Sequence, residues 1–254
     1  MIRSTGKGFS QGVSAAFKGL RSALDDKQVR EAYVRMVAVL FVVITWLSAM
    51  GIWGVIVLTD AGADPSWWML ALYWALRIFG IILVLYVAPL VSLFVVNLVF
   101  PLLGERVFYS ALATVSPARA AELSQQPGLP LAEAVKDAVH RLALFFGLSI
   151  LAFVFSLLPV VGSIGGPVLQ TYLTSRSIGW EMLDPYFDKL GWRFDDQRRF
   201  VDAHRTQLVG FGLPIALLMM IPIAGPLIFG LAQAAAAVLV GEVLERPAEA
   251  PPAA

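Results

Sequence analysis

The chain has 254 residues, of which 58% are hydrophobic and only 15% charged, and its formal net charge is +1. Soluble domains are roughly 45–50% apolar and about 25% charged, so this composition excludes an ordinary soluble protein and favours a membrane protein. The near-zero net charge gives no basic surface for nucleic acid, and none is expected as a partner. Cysteine is absent and only two histidines occur, so neither a metal site nor another cofactor is expected.

The first segment predicts an amphipathic helix. Its larger apolar side chains recur every three or four positions, with Lys18 and Arg21 elsewhere on the helix. These apolar positions are Phe9, Val13, Phe17, Leu20 and Leu24. Such a helix either lies in the membrane interface or docks onto the membrane helices of the same chain, and the pattern allows both. The charged residues also interrupt any continuous apolar run, so a cleavable signal peptide is not expected.

Two long apolar runs follow, over residues 36–58 and 66–101. Each exceeds the roughly 20 residues that cross a bilayer as a helix, so two transmembrane helices are predicted. Arg77 interrupts the second run, and either lines a pore or extends its charge to the membrane interface. The polar segments 104–141 and 174–207 contain no spanning run and are expected at the surface.

Two further apolar regions are interrupted by proline and glycine, over residues 142–173 and 208–241. Proline lacks a backbone donor and glycine permits a tight reversal, so each region predicts a helical hairpin. The tip residues of the first hairpin are Pro159, Gly162, Gly165, Gly166 and Pro167, and those of the second are Pro222, Gly225 and Pro226. Several arms have only 10–15 apolar residues, which favours re-entrant hairpins over spanning ones. Ordinary kinked or spanning hairpins remain the alternative.

The predicted fold class is therefore an all-α integral membrane protein with an N-terminal amphipathic helix, two long transmembrane helices and two Pro/Gly-tipped helical hairpins. Residues 1–246 are expected to form one membrane domain, followed by a disordered tail over 247–254. The first 35 residues contain seven Lys or Arg and three acidic residues, whereas the turn at 59–65 contains only Asp60 and Asp64 as charged residues. By the positive-inside rule, the N-terminus is cytoplasmic.

The order of these segments resembles a known family. It comprises the amphipathic helix, two spans, "PLLGERV" at 101–107, "PVVGSIGGPVL" at 159–169, "DPYF" at 184–187 and a second hairpin with the pattern "IP-x-x-GP". Over residues 8–245 the chain is similar to CysZ sulfate permeases and the wider etoposide-induced membrane protein family. The resemblance implies a bacterial inner-membrane, multi-pass homo-oligomer with two spans and two half-penetrating hairpins. It also implies that sulfate enters the cell through the protein for assimilation into cysteine.

The resemblance also implies an anion site after the amphipathic helix, at a Gly-Leu/Ile-Arg-Arg motif. The corresponding stretch here is Gln28, Val29, Arg30 and Glu31, so Arg30 matches, whereas Gln28 and Glu31 replace the glycine and the second arginine. A Gly-Leu-Arg sequence occurs instead at Gly19, Leu20 and Arg21, within the amphipathic helix. An oxyanion is held by free N–H groups at a helix start together with fixed positive charge. Both stretches are therefore candidate anion sites.

Three classes of function follow. The leading hypothesis is a passive channel or permease for sulfate or a similar oxyanion, with glycine-rich tips supplying backbone dipoles. The second is a membrane interaction or scaffold protein that binds a partner through the charged segment 195–205. The third is an intramembrane enzyme. The sequence has no Ser/His/Asp or metal-ligand arrangement at useful spacing, so no enzymatic activity is expected.

Overall fold

A computed structural model describes residues 2–60, 62, 65–99, 101–221 and 224–245; side chains at 2–5, 93–94, 96–99, 101–102, 224 and 226 are outside that description. Every regular element in these ranges is helical. The helices are α1 (Ile2–Asp25), α2 (Lys27–Leu58), α3 (Trp67–Val99), α4 (Pro101–Val115), α5 (Pro117–Ser124), α6 (Leu131–Ser156), α7 (Val161–Glu181), α8 (Asp184–Leu190), α9 (Phe194–Ala203), α10 (Arg205–Met219) and α11 (Ala224–Leu239), with a π-helical turn at Val240–Leu244. The predicted tail at 247–254 and Pro222 lie outside the described residues.

Four apolar helical segments are long enough to cross a membrane: Lys27–Leu58, Trp67–Ser92, Leu131–Ser156 and Leu227–Leu244. Many large apolar side chains on α2, α3 and α6 are exposed, including Phe41, Trp53 and Phe153. Such extensive apolar exposure suits a lipid environment, because monomeric soluble proteins rarely expose large apolar patches. The all-α membrane class predicted from the sequence is therefore confirmed, and the chain is a multi-pass membrane protein in contact with lipid.

The N-terminal helix α1 docks onto α10 and α11 through small residues. A Cβ added at Gly12 would overlap the Gln207 carbonyl, and one added at Gly19 would overlap the Ala235 backbone. Phe9 and Phe17 instead point away from the protein and are exposed. Docking onto the chain's own helices is therefore correct, but small residues make the closest contacts, and of the large apolar residues Leu20 packs against the core.

The two long helices α2 and α3 form a hairpin whose turn is closed by Arg77. This guanidinium donates to the Thr59 hydroxyl at 3.0 Å and to the Thr59 carbonyl at 2.8 Å, and it lies 5.2 Å from the Trp74 ring. The C-terminal carbonyls of a helix attract positive charge. Of the two interpretations of Arg77, the structure favours an interfacial arginine that caps α2.

The first predicted hairpin consists of α6 and α7. The Gln170 amide donates to the Ser149 hydroxyl at 3.2 Å, and added Cβ atoms at Gly162 and Gly166 would overlap Phe155 and Ser156. These contacts pair the helices in antiparallel order. The first arm begins at Leu131 and not near residue 142, because the amphipathic part of the preceding polar segment continues the same helix.

The second hairpin consists of α10 and α11, with Gly225 next to the Met219 carbonyl. Its first arm has 15 residues, and at 1.5 Å per residue it is shorter than the roughly 30 Å apolar core of a bilayer. The arms α6 and α11 with its π-helical turn are long enough to cross. How deeply the two hairpins penetrate the membrane stays a prediction.

The polar segments form a packed layer and not only a surface. Val107, Phe108 and Leu112 of α4 are buried, as are Tyr186 and Phe187 of α8. Aromatic rings join α8 to the segment that follows, with the Phe187 and Trp192 rings stacked at 5.8 Å. The two segments 104–141 and 174–207 are therefore not merely solvated, because apolar side chains of their short helices pack against each other.

Candidate anion site

The α2 N-terminus is capped by a carboxylate of the chain itself. The Asp26 side chain accepts hydrogen bonds from the Gln28 and Val29 amides at 2.8 and 3.0 Å. These are the free donors that an anion at a helix start would use. An anion bound to these two amides would therefore have to displace Asp26.

The other residues of this predicted site are arranged around the cap. The Val29 side chain is buried, whereas Gln28 and Arg30 are exposed. The Arg30 guanidinium turns back to the Leu24 carbonyl at 3.3 Å. Arg30 therefore links the end of α1 to the start of α2, close to the predicted anion position.

The second candidate stretch lies in the interior of α1. Gly19 packs against Ala235, and its carbonyl accepts a hydrogen bond from the Ser22 hydroxyl at 3.0 Å. Leu20 is half-buried, and Arg21 is exposed with its Nε 3.7 Å from the Asp25 carboxylate. The structure does not bring Arg21 and Arg30 into one described cavity, and Gly19 serves a close helix contact.

A groove opens beside the α2 N-terminus, between α2 and α4. It has a volume of about 200 Å³. The residues that line it are Gln28, Glu31, Ala32, Arg35, Leu103, Arg106 and Ser110. Among the sequence-predicted residues only Gln28 reaches this groove. Arg35 and Arg106 were missed, although the helical spacing of 28, 31 and 35 already puts those residues on one face.

The predicted hairpin tips show how the chain reverses. In the first hairpin Pro159 precedes Val160, whose φ of 63° is the one positive non-glycine value in the described chain. Gly162, Gly165 and Gly166 lie against α6 residues, with Pro167 inside α7. In the second hairpin, Gly225 lies beside the turn, and the backbone at Pro226 belongs to α11. The glycines of the first tip therefore serve close helix packing.

A second polar centre lies between α6, α7, α8 and α9. The sequence offers its carboxylates Asp184 and Asp188 only as solvated surface charges, and its buried arginine is not predicted. The Arg141 guanidinium is 7% exposed; its Nη1 is 2.5 Å from the Asp184 carboxylate and donates to Gln197 Oε1 at 2.8 Å. The Trp180 indole donates to the same Gln197 oxygen at 3.0 Å. Buried charges are tolerated when paired in this way. The adjoining cavity has a volume of about 20 Å³, room for about one water molecule.

Carboxylates around this centre have altered proton affinity. Burial raises the pKa of Asp188 to about 7, and the neighbouring Asp184 charge adds to the effect. Burial likewise raises the pKa of Glu105, while Lys189 lowers it. These shifts follow from desolvation of the charged form. The packed polar layer therefore contains a carboxyl group, Asp188, whose pKa is raised close to neutral pH.

Comparison with known proteins identifies the family of the chain. No curated protein sequence matches the chain. A family model described as "Sulfate transporter CysZ/Etoposide-induced protein 2.4" matches residues 15–229. That match covers α2 to α10 completely, the C-terminal part of α1 and the start of α11, and it includes the capped α2 N-terminus and the groove beside it. The chain therefore belongs to the sulfate transporter CysZ/etoposide-induced protein 2.4 family.

Proposed function

We propose that this protein is a passive permease or channel for sulfate or a similar oxyanion in the bacterial inner membrane, supplying sulfate for assimilation into cysteine. The observation that carries the proposal is the family match over residues 15–229 of a chain with four apolar helices long enough to cross a membrane. The chain lacks a phosphate-binding loop for nucleotide hydrolysis. Passive conduction is therefore favoured over ATP-driven transport.

The charge distribution supports a cytoplasmic N-terminus. Lys27, Arg30 and Arg35 lie at the start of α2, and the opposite turn carries Asp60. The packed polar layer contacts the same end of α2 through α4. An assembly of several copies is part of the proposal, because it would cover some of the exposed apolar surface of α2, α3 and α6.

A scaffold function is the alternative, and the Asp26 cap favours it. The carboxylate occupies the two amides of the implied anion motif, and Glu31 replaces its second arginine. A scaffold would present exposed charges on α9, such as Arg198 and Arg199, to a partner. This alternative requires no anion flux.

The deciding experiment is radiolabelled sulfate uptake into proteoliposomes that contain the purified full-length protein, with protein-free liposomes as the baseline. We expect uptake above baseline and reduced uptake for Arg30→Ala. The matched control is Arg199→Gln, an exposed arginine on α9, which should behave as wild type. Wild-type uptake equal to the protein-free baseline for sulfate, thiosulfate and selenate would refute the permease and favour the scaffold.

A further inference from the structure

We propose that the groove between α2 and α4 is an oxyanion-binding site in which Arg35 and Arg106 hold a free tetrahedral dianion from opposite walls. The inference deepens the proposed permease and rests on it for the choice of sulfate as the ligand. It assigns binding to residues outside the implied anion motif. It also accounts for how the chain could bind an anion while Asp26 caps the α2 amides.

The two walls of the groove are faces of single helices. Gln28, Glu31 and Arg35 recur at helical spacing along α2, and Leu103, Arg106 and Ser110 do so along α4. The groove therefore brings one arginine from each helix to a shared space. A volume of about 200 Å³ is many times the roughly 10–15 Å³ that a cavity needs to hold one water molecule, so a tetrahedral oxyanion and some hydrating water fit together.

The charges in the groove favour an anion. Among the described residues, neither Arg35 nor Arg106 lies within 4.0 Å of a carboxylate oxygen in an ion pair. The one carboxylate of the lining, Glu31, lies 4.0 Å from Lys27 Nζ. The groove lining therefore has two positively charged guanidinium groups and one carboxylate, and Lys27 partly neutralises that carboxylate. Guanidinium forks bind oxyanions through paired N–H donors, and the Ser110 hydroxyl supplies a further donor.

The groove lies at the N-terminal end of α2, beside the start of its apolar run. Arg35 immediately precedes Met36, the first residue of the apolar run at 36–58. An anion held there lies between α2 and α4, separate from the Arg141 centre between α6, α7, α8 and α9. The same guanidinium chemistry would suit the phosphate of an anionic lipid, so the test must separate a free oxyanion from a lipid headgroup.

The first test is direct binding of radiolabelled sulfate to the full-length protein in an uncharged detergent, by equilibrium dialysis. We expect Arg35→Gln and Arg106→Gln each to weaken sulfate binding about tenfold or more, the loss of one charge-assisted donor pair. Arg199→Gln on α9 is the matched control. Gel filtration and circular dichroism check that each variant is folded.

A variant expected to bind sulfate more tightly distinguishes loss of the site from loss of the fold. Glu31→Gln removes the one carboxylate from the groove lining and should tighten sulfate binding severalfold. Tighter binding cannot result from a damaged fold. Unchanged or weaker binding in Glu31→Gln, together with wild-type affinity in both arginine variants, overturns the proposal. So does a wild-type protein that binds neither sulfate, thiosulfate nor selenate.

The remaining outcomes separate the groove from other sites and sources. Loss of binding in Arg30→Gln alone would put the anion at the α2 N-terminus and overturn the groove. Displacement of sulfate by micromolar phosphatidylglycerol would assign the arginines to lipid and also overturn it. Sulfate binding that depends on the groove, without uptake in proteoliposomes, would support the groove and refute the permease. Sulfate uptake that neither arginine variant changes would support the permease and refute the groove as the anion site.

Discussion

At the scale of single residues, Val160 is under the greatest backbone strain in the described chain. Its φ of 63° and ψ of −61° form a tight γ-turn in which the Val161 amide donates to the Pro159 carbonyl at 2.7 Å. This type of γ-turn is rare and strained, and a β-branched side chain increases the strain. Because the side chain is 78% exposed, replacing it loses little packing.

We therefore expect Val160→Gly to raise the thermal stability of the protein in detergent, by up to about 1 kcal/mol after the entropy loss of glycine is subtracted. Val168→Gly is the matched control: this exposed valine lies in the interior of α7, where glycine should destabilise. Thermal unfolding followed by circular dichroism measures both. Equal losses of stability in the two variants would show that Val160 is not strained.

The Asp26 cap makes a second prediction about one residue. Asp26→Ala should destabilise the protein by about 1 kcal/mol, whereas Asp26→Ser should retain most of the stability, because serine is also a good N-cap. Removing the carboxylate also frees the Gln28 and Val29 amides. If those amides can hold an anion, sulfate should raise the melting temperature of Asp26→Ala more than that of the wild type. Equal sulfate effects would exclude a role for them in anion binding.

At the scale of helices, glycines determine how closely α7 and α10 cross. A Cβ at Gly212 would overlap the Ser175 carbonyl, and a Cβ at Gly179 would lie 2.7 Å from the Leu208 carbonyl. Both obstacles are backbone atoms, so the helices would have to separate. Small residues permit this kind of close packing between helices in membranes.

We expect Gly212→Ala to destabilise the protein by roughly 1–3 kcal/mol, the usual penalty for overpacking. The control is Gly147→Ala in α6, where an added Cβ meets nothing within 4 Å. That variant should be neutral or stabilising by up to about 1 kcal/mol, because alanine is the better helix former. Unfolding in a denaturing detergent series, followed by tryptophan fluorescence, compares the two. A neutral Gly212→Ala would contradict the close crossing.

The helices that the sequence predicted well are those with long apolar runs. The two long helices and both hairpins followed from run length and from proline and glycine, which act locally. The docking face of α1 was missed because the helical pattern was sought only among large apolar residues. Gly12, Gly19 and Ala23 are spaced by seven and four residues and so also share one helix face, but their role depends on the backbone of α10 and α11, which is distant in sequence.

The candidate site was harder to predict for the same reason. The α2 N-terminus was located from its local sequence, and Asp26 precedes it directly, so its capping role was available from spacing alone. Arg106 lies some 70 residues beyond Arg35, and only the packing of α4 on α2 brings them to one groove. The Arg141 centre likewise joins four separate helices, and its residues show no shared sequence pattern.

At the scale of the whole molecule, the packed polar layer links stability to pH. Asp188 of α8 faces carboxylates from other elements, Glu105 and Asp137, as well as Asp184 and the Arg141 guanidinium. Burial raises the pKa of Asp188 from its ordinary value of 3.8 to about 7. The folded protein thus binds this proton more tightly than the unfolded chain, and stability falls as pH rises through that window.

We therefore expect the wild-type melting temperature in uncharged detergent to decrease between pH 5 and pH 7.5 and to change less above pH 8. Asp188→Asn keeps the neutral form at every pH, so it should flatten this dependence and raise the melting temperature at pH 8. Asp195→Asn, on the exposed surface of α9, should retain the wild-type slope. A slope that survives unchanged in Asp188→Asn would assign the titration to another carboxyl group of the layer, with Glu105 the next to substitute because burial raises its pKa as well.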